Sequence, residues 1–233
     1  MSKFRVLVPA AGRSLRFLDA GYETLKPDLE LRRPGESTTR SMIDWVLSAL
    51  PHTEIGPVVV GAHPLLNGPS RPHVRYVTSH TRGQAQTLHR MLTATCPIDE
   101  PILVLNADVV FSTSVICAVM RLVDQGADVG IAVHESESTA YSYVNSFPYP
   151  TKFAEKLCLS KYAMSGVWAF RSPVALRERL EKVCLDMIEP FLSHGLGRLP
   201  GVKECHLIEP SDFADLGTPD AVRDAGWEIV SEK

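Results

Sequence analysis

FRVLVPAAGRSLRFLDAGYETLKP, residues 4–27, is the stretch whose reading decides the fold. Residues 4–8 form a short apolar run rich in β-branched side chains, which reads as a buried strand. The strand is expected to stop at Pro9. Ala10, Ala11 and Gly12 follow. Side chains this small let the backbone approach a ligand, and glycine can take positive φ. Successive backbone N–H groups in such a loop can form an anion-binding nest. Arg16 and Lys26 then add two cations. Together with Pro9, these residues read as a phosphate cradle at the carboxyl end of a first strand, where open α/β sheets bind ligands. On these residues alone, a plain βα turn with two solvated cations remains the competing reading. Neither G-x-G-x-x-G nor G-K-[ST] occurs here, which excludes the dinucleotide fingerprint and the Walker A loop.

Further along, Leu29, Glu30 and Leu31 suggest a short strand entering a hairpin tipped by Pro34 and Gly35. Ser41, with Asp44 three residues on, opens a helix whose apolar face is Met42, Ile43, Val46, Leu47 and Leu50. Val58, Val59 and Val60 read as a strand, residues 61–72 as loop, and residues 74–77 as another strand. A turn at Thr81 to Gln84 leads into a helix buried through Ala85, Leu88, Met91 and Leu92. Residues 102–105 are uninterrupted apolar, as expected of a central strand covered on both faces. Asn106 and Asp108 stand where that strand emerges. Ser112 is expected to cap the next helix, which stops near Gly126. Residues 128–133 read as a strand, and 134–150 show no period. Residues 153–156 and 165–170 read as strands, Pro173 opens a helix, and a short helix carries Met187, Ile188, Phe191 and Leu192. Residues 205–208 are the last expected strand, before a helix opened by Thr218 and Pro219. Strands alternating with helices imply a three-layer α/β domain with a mostly parallel, Rossmann-like central sheet, read as one domain over residues 1–233.

Composition limits the function classes. The 233 residues are 45% hydrophobic and 22% charged, an ordinary globular make-up. The net charge of −3 offers no basic field for nucleic acid. No apolar run approaches the ~20 residues of a membrane span. MSKFRVLV reads as a strand and not as a signal peptide. The five cysteines are scattered with no C-x-x-C, so they read as reduced thiols of a cytoplasmic protein with no zinc site.

At this point the chain resembles a family. VPAAGRSLRF and the later Lys26-Pro27 are similar to the opening motif of sugar-1-phosphate nucleotidylyltransferases. In the same order, Ser41 to Val46 resembles that family's first helix and Gly83-Gln84-Ala85 its second nucleotide-binding turn. Leu105-Asn106-Ala107-Asp108 resembles its metal-binding strand end. Glu155-Lys156 with Ser165 to Phe170 resembles its sugar-phosphate region, and Asp215-Leu216-Gly217-Thr218-Pro219 its closing D-x-G-T-P motif. The AGY-x-x-x-KP detail is similar to compact members of capsule and surface-polysaccharide biosynthesis. The chain departs from the family where Ser14 and Leu15 replace a frequent second Gly and a Thr, and where Leu157 replaces a frequent Pro.

The resemblance implies a nucleotidyltransferase fold and a reaction joining a nucleoside triphosphate to a sugar 1-phosphate, with release of pyrophosphate. The attacking phosphate monoester has a second pKa near ~6 and is already ionised at neutral pH, so no general base is needed. Charge neutralisation and in-line positioning are what the protein must supply. Arg16 is expected on the β and γ phosphates and Lys26 on the α phosphate, as the catalytic cations. Pro9, Ala10, Ala11, Gly12, Gln84 and Asn106 are expected to bind the nucleotide. Glu155, Lys156 and Gly166 would bind the sugar phosphate, with Lys152 and Lys161 as alternative cations. Asp108 and Asp215 would hold Mg²⁺, which takes one or two carboxylates together with substrate phosphates. No partner among nucleic acids or membranes is expected, and a homo-oligomer is left open. A glycosyltransferase of similar fold and a non-catalytic nucleotide-sugar-binding homologue are the alternatives. Against the first, Asn106-Ala107-Asp108 stands where that class carries D-x-D.

Overall fold

A computed structural model of the chain describes residues 3–66, 71, 74–78, 80–95 and 100–230. In chain order these form β1 (Phe4–Ala10), α1 (Leu15–Asp19), β2 (Glu30–Arg32), β3 (Thr39–Ser41), α2 (Met42–Ser48), β4 (Ile55–Ala62), β5 (Val74–Thr78) and α3 (Gln84–Thr95). Then come β6 (Ile102–Leu105), β7 (Val109–Phe111), α4 (Thr113–Asp124), β8 (Val129–Glu135), β9 (Ser142–Val144), β10 (Phe153–Glu155) and β11 (Tyr162–Phe170). The chain ends with α5 (Pro173–Asp186), α6 (Leu192–Leu196), β12 (Lys203–Leu207), β13 (Phe213–Asp215), α7 (Pro219–Asp224) and β14 (Glu228–Ile229).

Among the described residues the main sheet has nine strands. β5, β4, β1 and β6 run parallel in that order, and β12 runs parallel to β8. β11 lies antiparallel between β6 and β8 and joins the two parallel groups. Past its register shift, the β9–β10 hairpin pairs against β11 at Ala163. The alternation of side chains along the central strands builds two cores. Val6 and Val8 of β1, Leu103 and Leu105 of β6, and Val167 and Ala169 of β11 face α2 and α4. Leu7, Val104 and Trp168 face the other way, onto α3, α5 and α6. A strand buried on both faces has no polar alternation, which explains the continuous apolar runs.

Several expectations about element ends are corrected. β1 continues through Pro9, which pairs with Gly61. The β6 ladder along β1 ends at Leu7, so Pro9 sits where one edge is free of that ladder and its missing N–H is tolerated. Gly61 and Ala62 belong to β4 rather than to a loop; residues 67–70 and 72 of that expected loop lie outside the described residues. Ser112 occupies the N-cap of α4 without a capping bond, its hydroxyl sitting 2.9 Å from that of Ser114. Met187 and Ile188 precede α6 rather than forming it, and Ile188 is exposed. β7, β13 and β14 are strands too short for periodicity to mark. Ser41 caps α2 as expected, accepting from the Asp44 N–H at 3.2 Å.

Candidate active site

β1 and β6 are parallel neighbours, so the loop after Ala10 and the turn from Asn106 to Asp108 leave the sheet on the same side. β1 delivers Pro9 and Ala10, then Ala11 and Gly12. A Cβ built on Gly12 meets nothing within 4 Å, so open space adjoins this backbone. Ser14 follows with φ 58, the left-handed conformation that a glycine adopts without cost. Its hydroxyl accepts the backbone N–H of Lys26 at 2.8 Å, which ties the two ends of the loop together. Arg16 is exposed on α1, held there by buried Phe17, which packs edge-on to Tyr22.

Lys26 Nζ donates to Asp108 Oδ2 at 2.7 Å. Asp108 is joined in turn to Asp215, because β13 pairs with β7 and the Leu216 N–H donates to the Asp108 carbonyl at 2.8 Å. A Cβ on Gly217 would lie 3.0 Å from Asp215 Oδ1 and 3.2 Å from Asp108 Oδ2. Glycine at this position therefore lets both carboxylates share one small space. Burial and the adjacent Asp108 charge push the Asp215 carboxyl upward from its usual range. The Gly217 N–H at 2.9 Å and the Tyr141 hydroxyl at 3.0 Å donate to it and oppose that shift. Two crowded carboxylates, one of them disfavoured as an anion, suit a hard divalent cation. Among the described residues no group of three or more His, Cys, Asp or Glu side chains is placed to hold a metal alone. The remaining ligands would have to come from substrate or water, as Mg²⁺ commonly arranges.

A second group surrounds Asn106. Its backbone N–H donates to the Gly166 carbonyl at 2.8 Å, and its side-chain oxygen accepts from Gln84 Nε2 at 2.5 Å. Gly166 has φ 101, and a Cβ there would come within 2.7 Å of Asn106 Nδ2. Gln84 is the first residue of α3, whose start is anchored by the Ala85 N–H donating to the Pro190 carbonyl at 3.0 Å. Glu155 and Lys156 form a third group at the end of β10. Glu155 Oε2 accepts from the hydroxyls of Ser142 and, at 2.8 Å, Ser193. Lys156 takes φ 53, is exposed, and carries its Nζ 5.4 Å from the centre of the Phe191 ring. Its N–H donates to the Tyr141 carbonyl at 3.1 Å, so one residue touches both the carboxylate pair and the third group. Of the alternative cations, Lys161 is engaged with Glu135 and Lys152 lines a separate cleft.

Tyr141 was missed from sequence because it lies in the aperiodic segment. Burial and the Asp215 charge raise its phenol pKa, so it is a neutral donor. Behind it stands His134, edge-on at 4.9 Å, with Nδ1 3.0 Å from the Ser165 hydroxyl. Burial lowers the His134 pKa to about 4, which makes this ring a neutral packing partner at pH 7. Gly217 was quoted only as part of D-x-G-T-P, and its spacing role becomes visible only with both carboxylates in place.

The family described as MobA-like NTP transferase domain has a sequence model that matches residues 6–197. The chain belongs to this family. Its members are nucleotidyltransferases by that description, and the matched span contains every candidate residue except Asp215. A search of curated proteins returns no match. Among solved structures, the fold is similar to a nucleoside-diphosphate-sugar pyrophosphorylase from Vibrio cholerae, with a TM-score of 0.77 and 18% identity over 94% of this chain and 98% of that one. It is also similar to a UTP-bound UGPase from Acinetobacter baumannii, with a TM-score of 0.73 and 14% identity over 97% and 92%. An inositol-1-phosphate CTP transferase from T. maritima has a TM-score of 0.74 and 12% identity over 95% and 92%. At these identities the likeness concerns the fold, and the MobA-like NTP transferase fold is the one seen here.

Proposed function

We propose that this MobA-like NTP transferase is a Mg²⁺-dependent enzyme that condenses a nucleoside triphosphate with a sugar 1-phosphate, forming a nucleoside diphosphate sugar and pyrophosphate. The observation that carries the reading is the meeting of Lys26, Asp108 and Asp215 beside an open, small-residue loop. The names of the similar structures, which include a nucleoside-diphosphate-sugar pyrophosphorylase and a UTP-bound UGPase, support the same substrate classes.

In this reading the backbone of Pro9, Ala10, Ala11 and Gly12 follows the nucleotide, and Gln84 with Asn106 presents donors and acceptors to the base. Arg16 takes the β and γ phosphates as a planar fork. Asp108 and Asp215 hold Mg²⁺, which when bound neutralises phosphate charge and aligns oxygens. Lys26, which donates to Asp108 in this structure, would serve the α phosphate, and Asp108 would be one of the two carboxylates that hold the cation. Glu155 has one oxygen taken by two serine hydroxyls, so its Oε1 is left to accept from sugar hydroxyls. Lys156 holds the acceptor phosphate as a point charge, and Gly166 keeps the sugar wall low. No residue need remove a proton from the nucleophile. A single domain over residues 1–233 suits this reading, because both cores share the same central strands. A cytoplasmic setting suits the free Cys117, Cys158, Cys184 and Cys205. No helix among the described residues is long and apolar enough to cross a membrane. The test is pyrophosphate release across four nucleoside triphosphates and a panel of sugar 1-phosphates, with and without EDTA.

A further inference from the structure

A cleft of about 650 Å³ opens between β10, α5 and α6, separate from the carboxylate pair. Its volume lies within the roughly 300–1,000 Å³ of small-molecule sites. Lys152, Arg179 and Arg198 line it together with His194, and Asp186 is the one carboxylate on its wall among the described residues. Among the described residues, none of the three cations is ion-paired. Arg179 Nε is buried and has no hydrogen-bond partner among the described residues, and a Cβ added at Gly195 would stand 3.7 Å from the Arg179 Cγ. His194 Nδ1 accepts the Phe191 N–H at 3.2 Å, which leaves Nε2–H as a further donor. Three cations against one carboxylate give this concave wall an excess of positive charge that favours an anion, and guanidinium forks match phosphate oxygens.

We propose that this cleft binds a phosphorylated small molecule independently of the Lys26–Asp108–Asp215 centre. Ser193 lines the cleft and also donates to Glu155 Oε2, while Glu155 itself does not line it. The bound anion thus sits one hydroxyl away from the third group of the active site, in its own compartment. The cleft takes the anion whichever nucleotide the active site accepts.

The experiment follows the Arg179 Nε–H resonance of the full-length protein in nitrogen-15 spectra during titration with pyrophosphate in EDTA. A saturable shift is expected, retained in Lys26→Met and weakened about tenfold or more in Arg198→Met, as loss of a charge-assisted bond implies. Arg198 is exposed, so that variant keeps the fold. Calorimetry on Arg179→Met gives a second readout, with heat of binding expected to vanish. No saturable shift, an unchanged affinity in Arg198→Met, or loss of the shift in Lys26→Met would each overturn the proposal.

Discussion

Gly166→Ala tests whether the Asn106 group is built as described. Gly166 lies within the register shift of β11, between Met164 and Trp168, at φ 101. An L side chain held in such a region costs about 1–3 kcal/mol. The new Cβ would also stand 2.7 Å from Asn106 Nδ2, 2.9 Å from its Cγ and 3.0 Å from its Cβ. The last of these is fixed to backbone and cannot swing aside, so overpacking adds about 1–3 kcal/mol. Together the loss is about 2–6 kcal/mol, a Tm drop on the order of 10 °C for a chain of this size. Displacing Asn106 also breaks its bond to Gln84, so under the proposed function nucleotide affinity is expected to fall along with stability. Gly12→Ala is the control for stability: its Cβ has open space and no positive φ, so a change within ~0.5 kcal/mol is expected. Urea unfolding and nucleotide titration read both effects. A Gly166→Ala protein as stable as wild type, with unchanged nucleotide Kd, would refute the packing argument.

Four further outcomes are expected. Lys26→Met should lower kcat/KM about 10²–10³-fold, the usual worth of one preorganised charge; steady-state kinetics on the folded variant check it. Asp215→Asn should abolish turnover and raise Tm at pH 7 without metal. The folded carboxyl titrates above its unfolded value, so ionising it costs stability as pH rises through the folded pKa. The Tm gain should therefore shrink as pH falls through the raised folded pKa and be gone below the ordinary carboxylate value of 3.8, and a gain independent of pH would count against the crowding. Tyr141→Phe removes a donor from Asp215, and Mg²⁺ affinity measured with nucleotide bound should weaken about 10–100-fold. Lys156→Met should raise acceptor KM with little change in nucleotide Kd, and Gln84→Ala the reverse; equal effects on both constants would merge the two groups.

The long central strands and amphipathic helices were legible because their burial imposes a period. Residues 102–105 were bounded correctly, α3 was placed by its apolar face, and α4 and α5 by Ser112 and Pro173 at their starts. The short strands were not, because three residues carry no period; β7 and β13 are defined by pairing with each other. That pairing brings Asp215 to Asp108, so sequence could name both aspartates only through motif order. Tyr141 and Gly217 were illegible for the same reason: each acquires its role from a neighbour more than 70 positions away in the chain. Ser14 was seen as a departure from the family pattern, and its left-handed backbone shows how the loop keeps the glycine-like bend without a glycine.

The central claim is that Lys26, Asp108 and Asp215 form a metal-dependent nucleotidyl-transfer centre. Pyrophosphate release by wild type and Asp108→Asn, with Mg²⁺ or excess EDTA, tests it most directly. The account predicts release with a particular triphosphate and sugar phosphate, lost in EDTA and lost in folded Asp108→Asn. Full activity in excess EDTA, or an Asp108→Asn enzyme that turns over like wild type, would contradict it.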